Sequence, residues 1–346
     1  MRLLFGLLIL SSVVFSCNSG EKIPDVSDVK VEVTTKRFEK DFFSLDTNNI
    51  DAGLTQLQNK YPVFFSDFLE KLVGVDGEMI KTGEANKAIK SFYTSYLPVY
   101  DSSKLLFANF SGTEKEIIKG LQFVKHYFPS YKLPSEIITF IAPMDASFKT
   151  SFGLQGDILN SGFIGAGLQL HLGKDFSFYK SEQGQQLYPT YISNRFEPTT
   201  IATNCLKNIV DDMFPEKLED KTLVQQMVEK GKRLYVLSKL LPYMDEDKLI
   251  GYTAVQLKDC YQHEENIWDL FVQNGLLQTI DDNLIKNYIG ESPKTQELGD
   301  ASPGNIGSFA GWQIVKKYMK KYPETSLQKL MATDDDTIFQ EAKYKP

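Results

Sequence analysis

Apolar residues crowd the start of the chain. Leu3 to Phe15 form a run of 13 residues, relieved only by Gly6, Ser11 and Ser12 and preceded by Arg2. Beyond a polar stretch, Val29, Val31 and Val33 alternate with Lys30, Glu32 and Thr34, a two-residue period that predicts a half-buried strand. From Asp41 to about Leu133 the period becomes helical. Helices are expected at Phe64 to Val73, at Glu84 to Tyr96 and after Thr113-x-x-Glu116, a capping-box spacing followed by Ile117, Leu121, Val124 and Phe128. The middle changes period again. Glu136 to Ala142 is a short apolar run expected to be a buried strand, and Gly162 to Gly173 alternates. Ile164, Leu168, Leu170 and Leu172 fall on one face of that second segment, Gln169 and His171 on the other, with turn chemistry over Asp157 to Gly162. These strands predict a small, antiparallel sheet. Helical spacing resumes at Pro198 to Met213, Thr222 to Leu241, Thr253 to Asn274 and Asn305 to Lys321, with further capping-box spacings at Thr253-x-x-Gln256 and Thr325-x-x-Gln328. A short helix or frayed tail is expected from Asp334.

The resulting fold class is α+β, mainly helical with a small mixed sheet. Composition agrees with a folded chain: 346 residues, 42% hydrophobic, 12% aromatic and 24% charged, with 23 Gly and 14 Pro. That is too apolar for disorder. A net charge of −7 advertises no phosphate-neutralising surface, so nucleic acid is not an expected partner.

The opening run is too short to span a bilayer and has the length of a signal-peptide core. It ends in Val14-Phe15-Ser16-Cys17, which resembles a bacterial lipobox. The resemblance implies cleavage after residue 16 and acylation of Cys17, palmitate included, which anchors the protein to the lipid bilayer. Several acyl chains together give stable anchoring. Asn18, rather than Asp, favours the outer membrane and its periplasmic face over inner-membrane retention. The expected organisation is therefore a leader at 1–16, a lipidated Cys17 with a flexible tether to residue 28, and one domain over 29–346. No GxxxxGK[ST] and no helix-opening GxGxxG occurs, so no nucleotide cofactor is implied.

Candidate chemistry is sparse. The three histidines, His126, His171 and His263, have no ligand spacing. His126 is expected at the surface; His171 and Gln169 share the non-aliphatic face, where His171 is either a hydrogen-bonded structural residue or, with Gln169, part of a cleft lining. Asp211-Asp212 and Asp334-Asp335-Asp336 lack EF-hand spacing and are expected to be solvated acidic faces. Gly304, Gly307 and Gly311 suggest close helix approach.

The order of helices, small sheet and a helix following an alternating strand is similar to that of zinc-metallopeptidase folds, where HExxH on that helix binds zinc. The chain has no HExxH; Asn204-Cys205-Leu206-Lys207-Asn208 stands there instead. Together with the lipobox, the stretches GLQLHLGKDFSFY (167–179), RFEPTTIATNCLKNIVDDMFP (195–215), GYTAVQLKDCYQHEENIWDLF (251–271) and PGNIGSFAGWQIVKKYMKKYPETSLQKLM (303–331) resemble the gliding-motility lipoprotein GldB family of Bacteroidetes, itself similar to predicted zinc metallopeptidases. The resemblance implies a zincin-like fold and a role in gliding, in or beside envelope motility and secretion machinery. It places Asn204 and Asn208 where the zinc-binding histidines would be, Cys205 at the general-base position, and Glu264 or Glu265 at a third ligand. Neutral amides are poor zinc ligands. The implied protein is thus catalytically inactive, without a cofactor, a metal or catalytic residues, and binds a peptide of an envelope protein. An active envelope zinc metallopeptidase and a purely structural lipoprotein are the alternatives. If the two ligand helices face each other, a Cys205–Cys260 disulfide would staple the site and add roughly 4 kcal/mol; the alternative is two small buried apolar side chains.

Overall fold

A computed structural model describes residues 22–346. The leader, the lipidation position Cys17 and the first residues of the tether lie outside the described residues.

Six strands are present among the described residues: β1 (Thr34–Arg37), β2 (Glu136–Phe140), β3 (Phe148–Thr150), β4 (Gly153–Gln155), β5 (Ile158–Leu159) and β6 (Phe163–Gly167). Four of them make a sheet in the order β1-β2-β6-β5, and β3 and β4 pair separately as an antiparallel ribbon. The sheet is mixed. β1, β2 and β6 run parallel, with Ile137 opposite Ile164, and only β5 runs antiparallel to β6. The antiparallel expectation fails because a short apolar run is compatible with either ladder, and the long helical crossover between β1 and β2 selects the parallel one. β2 is central, so Ile137, Ile138, Thr139 and Phe140 are all buried, the pattern of a strand covered on both faces.

The valine alternation makes no strand of its own. Val29, Val31 and Val33 pack half-buried against the core, and the Val29 carbonyl accepts a bond from the Gln122 side chain at 3.0 Å, but ladder pairing starts only at Thr34. The second alternating segment is cut short. After Gly167 the chain turns through a 3₁₀ turn, Leu168–Leu170, so both of its nominal faces are buried.

The helices that matter for the site are α1 (Ala85–Leu106), α2 (Ser111–Tyr127), α3 (Ile201–Met213), α4 (Leu223–Leu240), α5 (Ala254–Gln262), α6 (Glu264–Gln273), α7 (Ile306–Lys321) and α8 (Asp335–Ala342). α1 runs through Pro98, beyond the expected stop at Tyr96. α2 starts two residues before Thr113, and the Ser111 N–H is satisfied by Asn109 Oδ1 at 2.9 Å, so the Thr113 box is unused. The Thr253 box is real, with both reciprocal bonds formed. The last one shifts by a residue: Ser326, not Thr325, caps Leu327–Ala332. The 253–274 segment breaks at His263 into α5 and α6.

α3 packs on β5, β6, α2 and α4, which puts one face of it on the sheet and the other in the helical layer. α4 and α7 cross with their backbones in close contact. A Cβ on Gly311 would fall 1.7 Å from the Met227 carbonyl oxygen, and one on Gly231 would fall 2.2 Å from that of Gly311. Only glycine permits this backbone contact, which is the packing role expected of the 304–311 glycines. The acidic faces are solvated only in part: Asp212 and Asp334 are exposed, but their neighbours are not. Asp335 is buried and pairs with Lys221 at 2.6 Å and Lys232 at 2.7 Å, beside Glu229 and Arg233, and Asp211 accepts from the Ser151 backbone N–H at 2.9 Å. Buried carboxylates must be paired to be tolerated, and sequence spacing shows neither partner.

Candidate functional site

α3 begins after Pro198, whose fixed φ starts a 3₁₀ turn at 198–200. Its apolar positions Ile201, Ala202, Cys205, Leu206, Ile209 and Val210 are wholly buried, and this packing rotates Asn204 and Asn208, one turn apart, toward the chain between β4 and β5. There they meet Asp157, a residue whose sequence context suggested only a turn. Asn204 Nδ2 donates to Asp157 Oδ2 at 2.9 Å, and Asn208 Nδ2 donates to the Asp157 backbone carbonyl at 3.0 Å. The Gln155 amide in turn donates to Asn208 Oδ1.

His171 completes the set from the far side. Its Nε2 lies 2.9 Å from Asp157 Oδ2, and its Nδ1 is 3.2 Å from both the Glu197 carbonyl and Thr200 Oγ1. The Gly167 N–H adds a third donor to the Asp157 carboxylate at 3.1 Å. Asp157 and His171 are each 1% exposed. His171 is therefore a buried, hydrogen-bonded histidine and not a cleft-lining one. Gln169 is buried as well, its Oε1 accepting the Ala142 N–H at 3.0 Å, so the expected cleft face made of these two residues does not exist.

The remaining zinc-ligand positions are elsewhere. Glu264, at the start of α6, accepts from the Tyr344 hydroxyl at 2.6 Å and belongs to the C-terminal packing around Trp268; Glu265 is exposed. His263 and His126 are exposed. Among the described residues no three His, Cys, Asp or Glu side chains converge as a metal-binding group. The donor set itself does not suit zinc: both asparagines present N–H groups to Asp157, and the one carboxylate already accepts from three donors.

Cys205 and Cys260 are both free, buried thiols, so the conditional disulfide is not formed and the alternative of two small buried side chains holds. Their neighbourhoods differ: Cys205 lies in the core of α3 near Asp157, whereas Cys260 on α5 neighbours Tyr252. Burial, and then Asp157, push the Cys205 thiol well above its ordinary range, and burial pushes Cys260 up to about 12. Neither is poised as a base or nucleophile.

Two adjoining cavities open beside this network. The larger, about 560 Å³, is floored by Phe152, Tyr191, Ile250, Tyr252 and Ile289 and rimmed by Lys149, Lys230 and Lys286. The smaller, about 220 Å³, reaches Gln155, Asn204 and Lys207. Phe152, Arg195, Gly251 and Tyr252 wall both. Arg195 is held there by an ion pair with Glu291, and Tyr252 bonds the carbonyls of Gly304 and Asn305 at 3.2 and 3.1 Å, which ties the GYT turn to the start of α7. Lys207 is 6% exposed, and burial, with Arg195 nearby, lowers its ammonium to about 7. Lys207, Arg195 and Glu291 carry no recognisable spacing; the one available sign was a lysine set among buried positions of a 13-residue helix.

Among the described residues no helix is long and apolar enough to cross a membrane. No curated protein and no solved structure matches the chain. The sequence profile of the family described as gliding motility protein GldB matches residues 19–346, in which the Asp157 network and its cleft both lie, and the chain belongs to this family of gliding motility lipoproteins.

Proposed function

We propose that the protein is a non-catalytic binding component of the envelope gliding and secretion machinery, held at a membrane by acylated Cys17. Its working surface is the cleft beside Asn204, which takes up a peptide segment of an envelope protein. One observation carries this reading: the two asparagines at the zinc-histidine positions of the metallopeptidase resemblance are both spent on Asp157. Asn204, Asn208, His171 and Gln155 satisfy Asp157 and each other in a buried network. Hydrolysis needs a water activated by a metal or by an accessible base. A network that is closed by its own hydrogen bonds serves rigidity instead. On this reading a zincin-like ancestor has kept its cleft and exchanged its metal for amides.

The test is complementation of a strain lacking the protein. Lys149→Glu with Lys286→Glu reverses charge on the exposed rim of the larger cavity without touching the core. Loss of gliding, at normal levels of anchored protein, is expected. Gliding at the unaltered rate would remove the cleft as the working surface and leave a purely structural role, in which only Cys17→Ser is harmful. Stoichiometric zinc in the purified chain, with peptide hydrolysis abolished by a chelator, would replace the reading with an active metallopeptidase.

A further inference from the structure

Lys207 is a buried cation of the cleft without a partner of its own. It projects from α3 into the smaller cavity, its Nζ 5.5 Å from the centroid of the Phe152 ring, and among the described residues no carboxylate or hydrogen-bond acceptor is paired with it. A lysine this buried is ordinarily paired. An unpaired ammonium out of water is costly, and a single aromatic face offsets only part of that cost.

The neighbouring charges are already committed. Glu291 is taken by Arg195, Asp157 by His171 and Asn204, and Asp211 by Ser151 and Arg233. The other charged walls of the cavity are Lys174, Lys248, Glu197 and Asp247; Lys248 pairs with Asp245 at 3.2 Å, and Glu197 accepts the Lys174 backbone N–H at 3.1 Å. The ammonium of Lys207 is thus left without an ion-pair or hydrogen-bond partner at the inner end, where Asn204 also lines the cavity.

We infer that the smaller cavity is a carboxylate receptor, in which Lys207 Nζ pairs with a single carboxylate of a peptide lying in the larger cleft. One unpaired ammonium can pair with one carboxylate, whereas a phosphate dianion would bring a second negative charge with no free cation at the inner end to meet it. The cavity is large enough for a carboxylate and its adjoining carbons, and its shared walls with the larger cleft let the rest of the segment continue there. This deepens the peptide-binding reading and rests on it, naming the group that the cleft recognises. The carboxylate can come from a C-terminus or from an acidic side chain.

Three blocked peptides separate these sources when titrated into the purified chain and followed by backbone amide NMR: acetyl-Ala-Ala-Ala with a free C-terminus, the same peptide as its amide, and acetyl-Ala-Glu-Ala-amide. At least one carboxylate peptide is expected to shift resonances around α3 and the 195–200 loop, while the neutral amide does not. Lys207→Met is expected to weaken that binding roughly 30-fold or more, the range for removing one partner of a buried charge pair, and Lys207→Arg to retain most of it. Equal binding of the neutral peptide, unchanged binding to a folded Lys207→Met protein, or no shift with any peptide would overturn the inference. The outcomes are separable from those of the parent proposal: if rim variants abolish gliding but no carboxylate binds at Lys207, only the carboxylate assignment fails. If the peptide binds but cleft variants glide normally, the site exists and the functional reading fails.

Discussion

Replacing Lys207 by Met should make the protein more stable, and the pH dependence of the gain identifies its cause. The side chain is 6% exposed, so its charged form is poorly hydrated. Burial first, then Arg195, bring its pKa from 10.5 to about 7, against the opposing pull of Glu291, Asp211 and Asp157. At about 1.4 kcal/mol for each tenfold in proton affinity, that fall corresponds to an upper bound of roughly 5 kcal/mol, and local relaxation brings the expected gain to about 2–4 kcal/mol. Methionine retains the apolar stem and the packing on Phe152 while removing the charge. Below pH 7 both folded and unfolded chains carry the proton, and the folded protein bears the whole penalty. Between pH 7 and 10.5 the unfolded chain keeps a proton that the folded one has released, so stability of the parent rises with pH. Urea unfolding of residues 22–346 should therefore show Lys207→Met ahead of the parent at pH 6, with the gap closing as pH approaches 10. A variant no more stable at pH 6, or a gap that does not narrow with pH, would refute the reasoning that Lys207 is an uncompensated buried cation.

Other outcomes follow from the same geometry. Asp157→Ala strands His171, Asn204 and the Gly167 N–H, and should cost about 3–5 kcal/mol in the same urea assay; a loss under about 1 kcal/mol would mean that water or a rotamer change replaces the carboxylate. Gly311→Ala places a methyl 1.7 Å from the Met227 carbonyl and should prevent tight docking of α4 and α7, seen as a lost cooperative unfolding transition. Gly112→Ala, where nothing lies within 4 Å, should instead raise stability by about 0.5–1 kcal/mol. Both thiols should resist a thiol-reactive reagent in the folded chain and react fully in denaturant; rapid labelling of Cys205 would contradict its place in the core of α3.

Much of the element pattern was readable in advance. The helix from Pro198 to Met213 and that from Asn305 to Lys321 have the expected bounds, because apolar spacing, and for the first a Pro at its start, act within one or two turns. The candidate site was readable only in part. Asn204 and Asn208 were identifiable as the anomalous pair at one-turn spacing, but their meaning depended on Asp157, which the chain presents simply as a turn residue before β5. His171 looked like the polar face of a strand. The strand ends at Gly167, however, and a 3₁₀ turn swings the ring onto Asp157 and the Glu197 carbonyl.

The sequence by itself determined the secondary-structure periods, the α+β class, the lipobox-like leader and the absence of HExxH, since each depends on residues that are close along the chain. Tertiary structure decided the parallel ladder, the pairing of Asp335 with Lys221 and Lys232, the two separate thiols and the solitary ammonium of Lys207. Those depend on which distant groups share a low-dielectric space, where an unpaired charge or donor is expensive and a partner from another element removes the cost. Spacing along the chain carries no record of that partner.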